Sequence, residues 1–85
     1  MRRIAFHQTA FDDYSEWAKT DKKLFERIRR IITETAKTPF EGIGRPEPLK
    51  HELKGCWSRR IDREHRIVYQ ISPDKIRILA CRYHY

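Results

Sequence analysis

The sequence predicts an α+β domain in the order β-α-α-β-β-β, with two N-terminal helices packed on one face of a small, mostly antiparallel sheet. Two observations support this class. Apolar residues recur at helical spacing in the first half of the chain, whereas in the second half they alternate with polar residues as in strands. Helices that precede a run of consecutive strands are typical of α+β folds. The length of 85 residues predicts a single domain, residues 1–85, with one small core.

The first predicted elements are a short strand and a helix. Residues 1–6 begin basic and turn apolar, which predicts a short strand. Thr9, with Asp12 three residues later, has the pattern of a helix N-cap, and the apolar residues that follow have helical spacing. Thr20 or Asp21 is expected to begin a second helix, because both residue types are favoured N-caps.

The second predicted helix is amphipathic and ends before Pro39, which cannot continue a helix. Residues at i, i+4, i+7, i+8 and i+11 form one mainly apolar stripe, and basic residues lie off it. The stripe comprises Leu24, Ile28, Ile31, Ile32 and Thr35. The region from Pro39 to Pro48 contains further glycine and proline residues and predicts a surface loop.

Three strands are predicted in the second half of the chain. Apolar and polar residues alternate over residues 57–62 and again over residues 66–71. Residues 72–75 read Ser-Pro-Asp-Lys and predict a turn with proline at its second position. Residues 76–83 are apolar at both parities, so we expect this strand in the interior of the sheet.

The alternation also predicts the register of the first hairpin. If its two strands pair with Ile61 and Ile67 on one buried face, the numbers of paired residues must have an even sum. The same register places Arg60 and Arg66 together on the face away from the helices. Such a face suits a phosphate-rich ligand. The alternative, which the residues leave open, is a solvated face whose arginines pair with the acidic residues of the intervening turn.

The charge balance favours a polyanionic partner. Nineteen Lys and Arg residues against twelve Asp and Glu residues give a formal net charge of +7, which on so small a domain favours nucleic acid or an acidic protein. The sequence gives no support for a membrane partner, because its apolar runs are far shorter than a membrane span and its N-terminus lacks the apolar stretch of a signal peptide. We therefore expect a cytoplasmic protein.

The cysteine count supports neither a disulfide nor a metal site. Cys56 and Cys81 are expected to be reduced in a chain without an export signal. Cys81 and His84 have a spacing that zinc sites use, but no second pair of ligands accompanies them, so no metal or other cofactor is expected.

Several residues have the chemistry that RNA cleavage without a metal requires, namely a base, an acid and two or more cations. Glu47 lies between two prolines, which stiffen the chain and fix where the carboxylate points, and Lys50 follows closely. The alternative is that Glu47 is an ordinary loop glutamate. His84, next to the C-terminus, can act as an acid or a base near neutrality. The other histidines, His7, His51 and His65, have equal chemistry, although the position of His65 near a hairpin turn favours a structural role.

The C-terminal residues alternate between aromatic and basic or titratable side chains. Tyr83 and Tyr85 alternate with Arg82 and His84, a pattern that can stack on bases while contacting phosphates. Because Tyr83 continues the apolar strand, we expect it to pack in the core. Tyr85 is expected to remain available for a ligand.

Three blocks of the sequence resemble the YoeB family of toxins in the RelE superfamily. They are TPFEG with GRPEPLKH in residues 38–51, Gly55 with WSRRI and EHRIVY in residues 55–69, and ACRYHY in residues 80–85. The resemblance covers the whole chain. It departs from the family pattern at Cys56, where an aromatic residue is usual, and at Ile67, where leucine is usual.

The resemblance implies a RelE-like microbial RNase fold and ribosome-dependent cleavage of messenger RNA in the A site, without a cofactor. By this resemblance Glu47 matches the proposed general base, His84 matches the proposed general acid, and Arg66 matches the arginine that stabilises the transition state. Residues that hold phosphate or base near the cut are matched by Lys50, Arg60 and Tyr85.

The resemblance also implies partners besides the ribosome and messenger RNA. Family members pair with an acidic, partly disordered antitoxin of the YefM type, bind operator DNA through that antitoxin, and form homodimers. The charge of +7 fits an acidic antitoxin as well as it fits RNA. Two alternatives are a non-catalytic basic module that binds RNA or the ribosome, and an interaction domain whose charge serves only to hold an acidic partner.

Overall fold

A computed structural model of the chain describes residues 1–83, and the predicted α+β order is confirmed. Two short elements add to it, a two-residue strand and a single turn of 3-10 helix. The elements are β1 (Arg3–Phe6), α1 (Gln8–Thr20), α2 (Lys22–Lys37), β2 (Glu47–Pro48), a 3-10 turn (His51–Leu53), β3 (Trp57–Arg60), β4 (Arg66–Ile71) and β5 (Lys75–Tyr83).

The strands form one mixed sheet in the order β1-β5-β4-β3-β2. Only β1 and β5 run parallel, and the three remaining pairs are antiparallel. The prediction of a mostly antiparallel sheet is therefore confirmed. β5 lies between β1 and β4, as its apolar residues at both parities predicted.

The helix boundaries differ slightly from those the sequence predicted. α1 begins at Gln8, because the ring of His7 and not the side chain of Thr9 caps it, accepting from the Thr9 backbone N–H. Asp21 separates the two helices, and its carboxylate accepts from Leu24 N at 3.1 Å, so Asp21 is the N-cap of α2. α2 ends at Lys37, shortly before Pro39, as predicted.

The core lies between the two helices and one face of the sheet. The predicted stripe of α2 is buried from Ile28 onward, while Leu24 is half-buried at its margin. Trp17 of α1 joins this core at 5% exposure. On the sheet side, the core consists of residues from the strands and of the residue that directly follows β3. They are Ile61, Ile67, Tyr69, Ile76, Ile78 and Cys81. No helix within residues 1–83 is long and apolar enough to cross a membrane.

The register of the β3–β4 hairpin has the even sum that the alternation predicted. Arg60 lies directly opposite Arg66, and Ser58 lies opposite Val68. Because Ile67 faces the helices, Arg60 and Arg66 share the opposite face of the sheet. β2 extends this face, since Glu47 lies opposite Ser58.

β5 contains two irregularities that change which way its last residues face. Between Ile78 and Ala80, and again between Ala80 and Tyr83, β5 has one residue more than the matching stretch of β4. The first bulge puts Cys81 in the core after Ile78, and the second brings Tyr83 opposite Arg66. The prediction that Tyr83 packs in the core was therefore wrong, and Tyr83 is half-buried on the other face.

Candidate active site

Glu47 and Arg66 are in direct contact on the face of the sheet away from the helices. Arg66 Nη1 donates to Glu47 Oε1 at 2.7 Å and to Ser58 Oγ at 3.3 Å. The Arg66 side chain is 16% exposed, whereas that of Glu47 is 47% exposed. A mostly buried guanidinium is thus held under a carboxylate that remains open to solvent. The open alternative, in which Arg66 pairs with the acidic residues of the hairpin turn, is not the arrangement found.

The position of Glu47 is set by strand pairing as well as by its two flanking prolines. The predicted loop from Pro39 to Pro48 ends earlier than expected, because Glu47 and Pro48 pair with Ser58 and Trp57 of β3. The next backbone bond continues this pairing, from Leu49 N to Cys56 O at 2.9 Å. Glu47 therefore lies on an edge strand and is not an ordinary loop glutamate.

A row of three side chains crosses the sheet beside this pair. Arg66 on β4 lies between Arg60 on β3 and Tyr83 on β5. Arg60 is exposed and Tyr83 is half-buried. The face therefore carries two neighbouring cations and one aromatic ring, which are the chemical groups that recognise a phosphate and a base.

A cleft of about 310 Å³ opens next to Glu47 and Tyr83. Pro48, Leu49 and Leu53 supply its apolar walls, while Lys50 and His51 add polar groups. The sequence left His7, His51 and His65 as further candidates. Among these three, which all belong to the described residues, only His51 lines this cleft. The structure thus brings together Glu47, Arg60, Arg66 and Lys50 on one side of the molecule.

Two predicted site residues, His84 and Tyr85, lie outside the described residues. They follow Tyr83 directly in the chain. Among residues 1–83 no group of three or more His, Cys, Asp and Glu residues could hold a metal ion. Both cysteines are free and buried. Burial, with a smaller contribution from the nearby Asp13 carboxylate, raises the pKa of the Cys81 thiol to about 12, so Cys81 is not a nucleophile.

Arg59 was not selected by the sequence analysis, yet it organises the loop that leads to Glu47. It is fully buried, and its guanidinium donates to the carbonyl oxygens of Thr38, Glu41 and Ile43 and to the hydroxyl of Tyr69. Tyr69 in turn donates to Pro39 O at 2.9 Å. An arginine at an inward-facing position of the alternating pattern was the signal that could have identified it.

Gly44 completes the contact between this loop and β3. Its φ is +82°, and a Cβ at this position would lie 3.0 Å from both Arg59 Cβ and the Arg60 carbonyl oxygen. Its own carbonyl accepts from Arg60 N at 2.6 Å. Only glycine allows this conformation and this close approach together.

His65 lies in the turn between β3 and β4, as its position in the sequence indicated. Asp62 Oδ1 accepts from the backbone N–H groups of Glu64 and His65 and lies 3.1 Å from His65 Nδ1. Burial acts to raise the pKa of Asp62, but these hydrogen bonds and the His65 ring outweigh it, so the pKa is below its usual value. The ionised carboxylate of Asp62 therefore stabilises the turn that joins Arg60 to Arg66.

The fold, with two helices packed on a mixed sheet whose other face is open, is that of a class of small toxins from bacterial type II toxin–antitoxin systems. The chain belongs to the YoeB family of that class. The family model described as "YoeB-like toxin of bacterial type II toxin-antitoxin system" matches residues 6–85. The protein is therefore the toxin component of a type II toxin–antitoxin pair.

Individual relatives agree with this assignment over nearly the whole chain. Toxin YoeB of Escherichia coli O6:H1 is 52% identical over 83 residues, which cover 98% of this chain and 99% of the relative. The YoeB dimer structure from Staphylococcus aureus has a TM-score of 0.91 at 41% identity and covers 99% of this chain and 98% of that chain. A heterotetrameric YoeB-YefM complex from the same organism gives a TM-score of 0.89 at 41% identity, covering 100% and 99%.

Proposed function

We propose that this toxin is a ribosome-dependent endoribonuclease that cleaves messenger RNA in the ribosomal A site. The observation that carries the proposal is the contact between Glu47 and Arg66 on an open face with a second arginine and a cleft beside them. A carboxylate beside two cations supplies both a proton acceptor and the means to stabilise a negatively charged phosphate.

In the proposed reaction the ribose 2′-hydroxyl attacks the adjacent phosphorus atom. Glu47 takes the proton from the 2′-oxygen, and the bond from phosphorus to the departing 5′-oxygen breaks as a second group protonates that oxygen. By its match to the family pattern, His84 is that acid. The products are then a 2′,3′-cyclic phosphate and a 5′-hydroxyl, because the attacking oxygen comes from the RNA itself.

Arg66 is suited to stabilise the pentavalent phosphate. Its guanidinium carries parallel N–H donors that match two phosphate oxygens, and it is held in place from beneath by Ser58. Arg60, directly opposite on β3 and exposed, provides a second cation for the same phosphate or the next one along the strand. Lys50, at the mouth of the cleft, is proposed to hold phosphate, and Tyr85 to contact the base.

The partners of this toxin follow from its relatives and its charge. The YoeB toxins in the Staphylococcus aureus structures form a dimer and a complex with YefM. We propose the same kind of partners here, an acidic antitoxin of the YefM type and a second copy of the chain, with operator DNA bound through the antitoxin. The surplus of basic residues further supports docking on ribosomal RNA in the cytoplasm.

Single-turnover cleavage on purified ribosomes loaded with a defined message tests the proposal. We expect one main cut in the A-site codon, with 5′-hydroxyl and 2′,3′-cyclic or 3′-phosphate ends, and loss of cleavage of roughly 100-fold or more in Glu47→Ala and His84→Ala. Fragments with 5′-phosphates would exclude this mechanism. An intact message on ribosomes that bind the toxin would instead favour a non-catalytic binding module.

A further inference from the structure

Helix α1 holds the backbone of one residue of β5 from both sides. Trp17 Nε1 donates to Cys81 O at 2.8 Å, and Cys81 N donates to Asp13 Oδ2 at 3.0 Å. Asp13 and Trp17 are four residues apart, so both side chains leave the same face of α1. We call Asp13 and Trp17 together the α1 clamp.

The clamp acts at the point where β5 leaves the regular sheet. Ala80 pairs with Val68 and Tyr83 pairs with Arg66, so Cys81 lies in the bulge and has no partner residue in the β4 register. Bulged residues lose ladder hydrogen bonds, and buried backbone groups need partners elsewhere. Cys81 is fully buried, and the two side chains of the clamp satisfy its N–H and its carbonyl.

This bulge decides which way the end of β5 faces. Without it, regular alternation after Cys81 would turn Tyr83 toward the helices. With it, Tyr83 lies opposite Arg66 and lines the cleft beside Glu47. The bulge therefore places Tyr83 on the side of the sheet that carries the candidate active site.

Trp17 also contacts Arg82 of β5 and His65 of the turn between β3 and β4. The Arg82 guanidinium carbon lies 4.7 Å from the centroid of the Trp17 ring, and the His65 ring meets it edge-on at 5.1 Å. Trp17 is 5% exposed. One buried indole thus contacts the bulge of β5 and the turn next to Arg66.

We propose that Asp13 and Trp17 are positioning residues for RNA cleavage, because they fix the β5 bulge that presents Tyr83 to the Glu47–Arg66 site. The proposal rests on the proposed nuclease function. Neither residue lines the cleft, so the clamp is proposed to act on the site through the end of β5.

Three variants of the clamp and one control separate positioning from simple stabilisation. Trp17→Phe keeps an aromatic ring but loses the N–H donor, and Asp13→Ala loses the acceptor that Asp13→Asn retains. We expect Trp17→Phe and Asp13→Ala to lower the single-turnover rate at saturating toxin about 10-fold or more, since small misplacements of reacting groups have effects of this size. Half-saturating concentrations should stay near those of the parent, and Asp13→Asn should recover most of the rate. Ile28→Val, a core change in α2 outside the clamp, is the control for lost stability and should cleave within about twofold of the parent.

A double-variant cycle and amide hydrogen exchange give readouts that general destabilisation does not change. If the clamp acts through the end of β5, Trp17→Phe should add little to the loss caused by Tyr83→Ala, whereas its effect should add to that of Lys50→Ala. Amide exchange at Cys81 and Tyr83 should also accelerate in Trp17→Phe and Asp13→Ala but not in Ile28→Val.

The outcomes distinguish the two proposals. A parent toxin that cleaves on ribosomes, together with clamp variants that cleave at the parental rate, overturns the clamp and leaves the nuclease function intact. Full additivity with Tyr83→Ala overturns it as well. A parent that leaves the message intact overturns the nuclease function, and the positioning role falls with it. If Trp17→Phe does not fold, the comparison of Asp13→Ala with Asp13→Asn decides.

Discussion

The Arg66 guanidinium lies beneath the Glu47 carboxylate, with Nη1 at 2.7 Å from Oε1 and at 3.3 Å from Ser58 Oγ. The two groups come from separate strands, and Ser58 on the intervening strand touches the same Nη1 atom. In the absence of RNA each charge is therefore compensated by the other. In the proposed reaction, a phosphate that approaches Arg66 would compete with Glu47 for the guanidinium, and the weaker ion pair would favour proton uptake by the carboxylate.

Glu47 variants should separate proton transfer from folding. Glu47→Gln retains an oxygen that accepts from Arg66 but cannot take up a proton at neutral pH, so single-turnover cleavage should fall by roughly 100-fold or more. The Glu47 side chain is 47% exposed, and exposed ion pairs contribute at most about 1 kcal/mol to stability. The thermal midpoint should therefore change little. Glu52→Gln, an exposed glutamate in the neighbouring 3-10 turn, is the control, and parental cleavage by Glu47→Gln would rule out Glu47 as the base.

Arg66 should tolerate lysine only in part. Arg66→Ala removes the charge that stabilises the pentavalent phosphate, and cleavage should fall by roughly 100-fold or more. Arg66→Lys restores the charge but not the two parallel donors, so we expect an intermediate rate. Rates from the same ribosome assay, with ribosome binding measured separately by sedimentation, test this. Equal rates for the alanine and lysine variants would mean that charge alone contributes nothing at this position, and parental rates in both would rule out the proposed role of Arg66.

Ribosome binding should depend steeply on salt. The net charge of +7 exceeds what two or three active-site cations require, so we expect further Lys and Arg contacts to ribosomal RNA. Each phosphate contact releases counterions, and the logarithm of the binding constant should fall linearly with the logarithm of salt concentration. Binding to purified ribosomes at several potassium concentrations measures the slope. A flat response would contradict docking through the RNA backbone.

The sequence predicted the parts of this fold that periodicity controls. Alternation in two strands was enough to place Arg60 opposite Arg66, because a shift of one residue would have exposed Ile67. Alternation could not predict the bulges of β5, each of which changes the face on which the following side chains lie, and so Tyr83 was predicted on the wrong face. Periodicity also gave no sign that Glu47 is on a strand, since a two-residue strand is too short to have a pattern.

The candidate site depended on the family resemblance more than on residue patterns. Several glutamates and histidines had equal chemistry in the sequence, and only the match to the YoeB pattern selected Glu47. The structure then brought Glu47 to Arg66 through the pairing of β2 with β3. The burial of Arg59 was not predicted, because basic side chains are usually exposed to solvent. Its position in the alternation was nevertheless that of a core residue.

Acid should remove a stabilising contribution of Asp62. Burial raises the pKa of this carboxyl, but hydrogen bonds from the turn and the His65 ring lower it further, so the folded-state pKa lies below the ordinary value of 3.8. The carboxylate therefore stabilises the fold above about pH 4, and this contribution is lost as pH falls through the depressed pKa. In Asp62→Asn the contribution is absent at every pH. Thermal midpoints of parent and variant should differ at pH 6 and converge toward pH 2.5, and a constant difference would show that the pKa of Asp62 is not depressed.

Arg59 should matter for stability far more than its neighbour Arg60. Within residues 1–83 the Arg59 guanidinium has no carboxylate at ion-pair distance, and its charge is solvated by the carbonyls of the loop and by the Tyr69 hydroxyl. Arg59→Met would leave several buried acceptors without a donor, at about 1–3 kcal/mol each. A domain of this size has only about 4–13 kcal/mol of stability, so we expect a midpoint more than about 15 °C lower, or no folding.

Two milder or matched changes keep the Arg59 prediction testable if Arg59→Met does not fold. Tyr69→Phe removes only the hydroxyl between Arg59 and Pro39 O. This change should lower the free energy of unfolding by about 1–2 kcal/mol. For a chain of this length, that corresponds to a thermal midpoint about 5–15 °C lower. Arg60→Met, on the same strand but exposed on the other face, should change stability by less than about 0.5 kcal/mol. If Arg60→Met and Tyr69→Phe unfold at the same temperature, the buried hydrogen bonds of Arg59 do not hold the loop that leads to Glu47.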